Sequence, residues 1–344
     1  MRPRYWTWAV AATAVLCGCA PPAGEAPPPP PAPVPEVAEP EAAPPPVASP
    51  APAPEGPWAP VLESETDWIR ALKERLPRSW AAHEPEPHLV ILYDREVKEA
   101  RVREMGKEVA RLLKDVVAPR FPPATPIDRV FLFRVCRDRA QFLQYGGPPD
   151  AVGYWSERDG ECVLYEDRTS RQDTLRTLRS IAVLQYLHLA GAPGTHAWFR
   201  VGVSTALSQP GARGTLKPHR WWAGKAKGLR RGREFAALWE FVRMGPAEVA
   251  TMAPEVHASQ AWSFAWFVIE KPSSRWSDLL DRYYLAHRDH LASAARTLPG
   301  GPPDRRWASE ESLAAARAAG LEAAFGGLDE EGWKRLEKEW RGSL

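Results

Sequence analysis

Eight histidines and four cysteines carry most of the metal and nucleophile chemistry this 344-residue chain could offer, and their spacing narrows it. A helix-borne zinc site for hydrolysis needs two His at i and i+4 with a Glu beside the first. That spacing puts both imidazoles on one helical face and the carboxylate next to the metal-bound water. No His-Glu-x-x-His string occurs in the chain. The nearest approach is His83-Glu84-Pro85-Glu86-Pro87-His88, whose spacing is wrong and whose two prolines forbid a helix, so it is expected to be a polar connector before a strand. His188 and His196 are another pair near in sequence. His188 falls four residues after Leu184 with no carboxylate in a ligand pattern, and hydrogen-bonded histidines are the expected state of both.

Two segments nevertheless have the frame of a zinc-peptidase site. One is Thr174-Leu175-Arg176-Thr177-Leu178-Arg179-Ser180-Ile181-Ala182-Val183-Leu184-Gln185-Tyr186-Leu187-His188, and the other is Ala197-Trp198-Phe199-Arg200-Val201-Gly202-Val203-Ser204-Thr205-Ala206-Leu207. They resemble the gluzincin-type, thermolysin-like peptidases of the peptidase-MA-like group, whose active helix runs T-L-x-H-E-x-x-H-Q-x-L and whose next helix runs W-F/L-x-E-G-L-A. Aligned on Gln185-Tyr186 and on Trp198-Phe199 with Gly202, the resemblance puts Ser180 and Leu184 at the His pair, Ile181 at the general base and Val201 at the third ligand. Aliphatic side chains have no lone pair for a metal, and a lone Ser is a poor Zn²⁺ ligand. The resemblance therefore implies a site without zinc, cofactor or catalytic residue. It extends loosely from Leu89 to Trp340: Ser259-Gln260-Ala261-Trp262-Ser263-Phe264 is similar to the family's Y-A-Q-A-W-S-L helix, and Phe325-Gly326-Gly327-Leu328 with Leu336-Glu337-Lys338-Glu339-Trp340 to its end. Ala258 then stands where the family often has a Tyr that can donate to an oxyanion.

The elements that must position these segments follow from periodicity. Trp68, Leu72 and Leu76, at spacings of four, predict a helix over 63–76. Strands are expected at 88–93 and 129–135 from their β-branched and aromatic runs, with a helix between them through Met105, Val109, Leu112 and Val116 that ends before Pro119. A short helix over 139–145 precedes a hairpin whose strands, Val152 to Trp155 and Cys162 to Tyr165, flank Arg158-Asp159-Gly160. The fold class is α+β. With the resemblance, the order implies a small mixed β-sheet packed on a buried active-site-type helix, then an all-helical second lobe, a zincin-like arrangement with lobes at 61–208 and 209–344. The run Leu175 to Leu189 is apolar on nearly every face, which predicts burial and a former metal pocket converted into packed core.

The N-terminus has a different character. Met1-Arg2-Pro3-Arg4 is basic, Tyr5 to Leu16 is apolar but too short to span a bilayer, and Leu16-Cys17-Gly18-Cys19 fits a lipobox. Residues 1–18 are expected to be a bacterial lipoprotein signal and Cys19 the lipidated residue, anchored by more than one acyl chain. An ordinary secretory signal cleaved elsewhere is the alternative. Ala20 after the Cys points to outer-membrane retention by the sorting rules of Gram-negative cells. Residues 19–60 are nearly all Pro, Ala, Glu and Val, a polyproline II spacer reaching on the order of 100 Å at ~3.1 Å per residue. Of the four cysteines, Cys136 and Cys162 remain for the folded part, either bridged in an oxidising compartment or separately buried.

A formal charge of +2 gives no long-range attraction to nucleic acid. Lys217, Arg220, Lys225, Lys227, Arg230, Arg231 and Arg233 form a local basic stretch beside Trp221 and Trp222, expected to be a solvated loop, with an anionic-polymer site as the alternative. The 16 tryptophans include helical stripes, Trp262 with Trp266 and Trp333 with Leu336 and Trp340, expected in the core. Three functions compete: a lipid-anchored, non-catalytic binding or scaffold protein of the cell envelope; a metallopeptidase with relocated ligands; and an envelope-glycan binder using the basic segment. The first implies a partner that is an envelope protein or polymer.

Overall fold

The structure is a computed structural model describing residues 57–157, 159–167, 171–209, 220–270, 274–296 and 309–344, with the backbone only at 171–172, 220–221 and 295–296. The expected signal, Cys19 and most of the spacer lie outside the described residues. The fold begins earlier than residue 61, because Trp58 bridges Ile127 and the Ala59 N–H donates to the Ile127 carbonyl at 3.0 Å.

Helix α1 (Glu63–Glu74) leads into a five-stranded mixed sheet of β1 (Trp80–Glu86), β2 (Leu89–Asp94), β3 (Phe131–Cys136), β4 (Gly153–Ser156) and β5 (Glu161–Tyr165), in the order β1-β2-β3-β5-β4. The central β2, β3 and β5 are parallel, and the edges β1 and β4 run antiparallel to their neighbours. β2 is buried at all six positions, as a strand covered on both faces must be. Its alternate residues enter different clusters. Leu89, Ile91 and Tyr93 join the main core, whereas Val90 and Leu92 join a smaller one under α1 with Ile69 and Phe142. β1 corrects an expectation, because the supposed connector His83-Glu84-Pro85-Glu86 is strand. It is an edge strand whose register with β2 shifts between His83 and Glu86, a place where prolines that cannot donate are tolerated.

Between β2 and β3, α2 (Glu99–Leu112) runs into a π-helical turn (Leu113–Val117) and α3 (Ala118–Arg120), so the helical path passes Pro119 instead of ending before it. After β3 comes α4 (Arg139–Gln144), capped by the Asp138 carboxylate accepting from the Gln141 N–H. The two long segments singled out by the sequence are α5 (Arg171–Leu189) and α6 (Ala197–Leu207). α5 lies on the main-core face of the sheet and is pinned along its length. Arg179 pairs with Glu108 of α2 at 2.7 Å, the Gln185 side chain donates to the Gly160 carbonyl at 3.3 Å, and the Tyr186 hydroxyl donates to the Phe121 carbonyl at 2.9 Å.

The rest is helical: α7 (Arg220–Arg231), α8 (Leu238–Phe241), α9 (Pro246–Thr251), α10 (Pro254–Glu270), α11 (Leu279–Arg296), α12 (Glu310–Phe325) and α13 (Glu330–Ser343). One hydrophobic cluster runs from Leu89 to Trp340, so residues on either side of position 208 share a core. α10 seals α6: a Cβ on Gly202 would stand 2.5 Å from the Ala261 carbonyl oxygen, an approach only glycine allows. Among the described residues no helix is long and apolar enough to cross a membrane.

Candidate functional site

Two helical stripes converge on one cleft. α5 contributes Arg176, Ser180, Leu184 and His188, each four residues after the last, together with Thr177 and Ile181 one position on. α6 and its C-cap contribute Arg200, Ser204 and the capping Ser208, again at spacings of four, with Val201 and Thr205 beside them. Trp155 on the edge strand β4 and Trp222 on α7 close the sides, and Ala192, Pro193 and Gly194 form part of the rim. The space between them is about 1170 Å³, open solvent at the mouth included. β4 can lie this close to α5 because Gly153 has no side chain; a Cβ there would stand 2.9 Å from the Thr177 methyl.

Ser180, Ile181, Leu184 and Val201 therefore share one cavity, as their alignment with a metal site requires of them. The expected collapse of that pocket into packed core does not occur. Ile181 and Val201 are buried, at 4% and 3% exposed, but Ser180 and Leu184 are only half-covered and face open space. α5 is buried on three sides and open on the fourth. Its open stripe is partly aliphatic, so hydrophobicity alone does not reveal it.

The polar groups in this cleft are unevenly satisfied. His188 Nδ1 lies 3.0 Å from Glu157 Oε1, and that hydrogen bond, above all, lowers the Glu157 pKa. Arg176 pairs with Asp173 at 2.8 Å. Ser204 and Ser208 donate back to their own helix, to the Val201 carbonyl at 3.3 Å and the Thr205 carbonyl at 2.8 Å. The Thr177 hydroxyl, on a residue 6% exposed, has no hydrogen-bond partner among the described residues. Arg200 is half-buried and makes no hydrogen bond or ion pair among the described residues. Burial lowers its pKa, and the charge of Glu157 opposes that shift. A guanidinium carries five donors in a planar fork, so Arg200 is the largest group of donors on the cleft wall without a protein acceptor among the described residues.

Behind α6 lies a sealed polar group that the sequence did not announce. His196 Nδ1 sits 2.9 Å from the Tyr283 hydroxyl, which also accepts from the His196 N–H at 2.9 Å. His287 stacks on Tyr283 and is fully buried with both ring nitrogens unpartnered. Desolvation pushes the His196 pKa down to about 4 and that of His287 down to about 3, and it lowers His257 on α10 to about 4. His188 and His196 thus face different environments, the cleft and the interior. Among the described residues no group of three or more His, Cys, Asp or Glu side chains could hold a metal ion.

Three further expectations need correction or relocation. Cys136 and Cys162 are not bridged: both are free and buried. Cys162 pairs in register with Phe133, three residues before Cys136 on β3, and the two thiols lie in cores on opposite faces of the sheet. That offset is roughly 10 Å along the strand, beyond what a disulfide spans. The Cys162 thiol instead donates to the Gln185 side-chain oxygen at 3.4 Å. Most of the basic stretch is helix and not loop, since Arg220, Lys225, Lys227, Arg230 and Arg231 lie on α7, while Lys217 lies outside the described residues. Trp222 on that helix is 3% exposed and stacks on Trp262, so it is no surface platform, while the Trp221 side chain lies outside the described residues. Arg230 is spent on the Arg341 carbonyl, which leaves Lys227 and Arg231 exposed. Ala258 is fully buried in α10, away from the cleft wall.

Trp262 and Trp266 stack on each other in the core, and Leu336 and Trp340 are fully buried there with Trp333 packed against Phe325. No model of a known protein family matches the chain, and a search of curated proteins finds no relative of it.

Proposed function

We propose that this protein is a non-catalytic, lipid-anchored binding protein of the bacterial cell envelope, built on a zincin-like frame, whose ligand site is the cleft between α5 and α6. One observation carries the reading. Ser180, Ile181, Leu184 and Val201 line a common open cleft, and they are the four positions that the resemblance to gluzincins assigns to two His ligands, a general base and a carboxylate ligand. A cleft that stays open while its metal-binding positions hold a hydroxyl and three aliphatic groups is suited to holding a molecule rather than to cleaving one. The lipobox ending at Cys19 and the Pro-rich spacer support a tethered site facing an envelope protein or polymer, and the near-neutral charge gives no support to nucleic acid.

The test is restoration. Ser180→His, Leu184→His and Val201→Glu together should create a tight zinc site where the parent takes up well under one equivalent, and Cys19→Ala should release the protein from the membrane fraction. A folded triple variant that ignores zinc would remove the gluzincin alignment.

A second reading, a hydrolase with relocated catalytic groups, rests on the His188–Glu157 pair at 3.0 Å in the same cleft. It requires peptidase activity on unfolded substrates that His188→Ala abolishes. The glycan-binding reading has lost Trp222 as a stacking surface.

A further inference from the structure

We infer that the cleft binds a carboxylate on an apolar body, with the Arg200 guanidinium as its anchor. This deepens the binding-protein reading and rests on it.

The cleft wall divides by chemistry. Leu184 and Trp155, both half-buried, offer aliphatic and aromatic surface to the space, with Ile181, Val201 and Trp222 packed behind them in the same wall. Arg200 lines the same space half-buried, with no hydrogen-bond acceptor among the described residues. The one carboxylate whose charge it feels strongly, Glu157, is taken by His188. The other cleft arginine, Arg176, is paired with Asp173. A partly desolvated charge without a partner is costly, and the cost is relieved by an acceptor that matches its planar fork. A carboxylate does so with two parallel hydrogen bonds. The Thr177 hydroxyl, buried in the wall and unpartnered, is a second donor without an acceptor. Unmet donors on an apolar wall select an anionic head with an apolar tail and reject a cationic ligand. The head group can come from a fatty acyl chain or from the C-terminus of a peptide ending in a bulky apolar residue, and the chemistry of recognition is the same.

Calorimetric titration of the purified full chain decides it, using octanoate and N-acetyl-Leu-Phe, each against its neutral amide. At least one carboxylate should bind tenfold or more tightly than its amide, and whichever of the two does so identifies the source. Arg200→Gln should erase the difference, and Arg200→Lys should keep part of it. If Arg200→Gln does not fold, the carboxylate-to-amide ratio in the parent and in Arg200→Lys carries the decision. Equal binding of acid and amide overturns the anchor but leaves the cleft a ligand site. Failure of all four probes overturns the anchor and counts against the binding-protein reading too. Those two failures are distinct.

Discussion

The cleft and the polar group behind it sit on either side of α6, and their polar residues meet opposite fates. In the cleft, Arg200 and the His188–Glu157 pair stand where solvent or a ligand can reach them. Behind α6, His196, His257 and His287 are sealed among Trp198, Tyr283 and Phe241, and desolvation drives all three imidazoles to the neutral form. The same residue type, histidine, is thus a candidate functional group on α5, beside the cleft, and packing material at the start of α6 and on α10 and α11. What separates them is access to water, which a residue list does not contain.

The comparison breaks most visibly by removing its sealed side. Trp198 is 1% exposed and rings Phe199, Phe264, Tyr283 and Phe325. Trp198→Ala should cost about 3–5 kcal/mol, because the fully packed site cannot collapse. Leu184→Ala, on the open side, should cost about 1 kcal/mol or less, since that side chain already borders space. Chemical denaturation of both variants checks it, and similar losses at the two positions would mean the cleft is not open.

Acid sharpens the same contrast. An ordinary imidazole titrates near 6.5, whereas the folded protein holds His196 and His257 near 4 and His287 near 3. The unfolded chain therefore binds more protons as pH falls, so stability is intact above about pH 6.5 and is lost from there down toward pH 4. Each group contributes a slope of about 1.4 kcal/mol per pH unit inside that window. His287 makes no hydrogen bond, so His287→Phe should preserve stability at pH 8 and remove one proton's worth of the acid slope. An unchanged slope would show that the ring is hydrated.

How far these features are legible in the sequence depends on which interactions fix them. β2, β3, the β4–β5 hairpin and α1 were readable because each carries its own periodicity or turn chemistry, whereas α5 and α6 were expected from the resemblance to two gluzincin helices. β1 was not: His83-Glu84-Pro85-Glu86 looks like a connector, and only pairing with β2 makes it a strand. The convergence of Ser180, Leu184 and Val201 was implied by the resemblance, but the openness of their cleft was not, because Ile181 and Leu184 look like core in any linear pattern. His287 and Tyr283 gave no signal, since their meeting with His196 joins residues 87 and more positions apart. The cysteine bridge failed for a related reason. Counting thiols says how many can pair, while the strand register says which face each occupies.

That register yields a smaller, kinetic expectation. Burial raises the Cys136 thiol to about 12 and the Cys162 thiol well above its usual value, so neither offers a thiolate at pH 8. Ellman's reagent should find no reactive thiol among the two in native protein and two after denaturation without reductant. Two thiols missing in the denatured, unreduced chain would establish a bridge and contradict the placement on opposite faces.

The smallest effect is expected at Thr177, where the two environments meet. Its methyl packs toward the space above Gly153, and its hydroxyl, in the cleft wall, has no protein partner. Thr177→Val keeps the branched shape and the methyl contact while replacing only the hydroxyl. Val is usually a poor substitute for Thr because a buried hydrogen bond is lost, at about 1 kcal/mol net. Here there is no such bond to lose within the protein, so stability should change by less than about 0.5 kcal/mol, with the sign toward gain if the hydroxyl is dry. A loss well above 1 kcal/mol, measured by urea denaturation, would mean that the hydroxyl is satisfied in the folded protein and that this stretch of the wall belongs with the sealed region, not with the cleft.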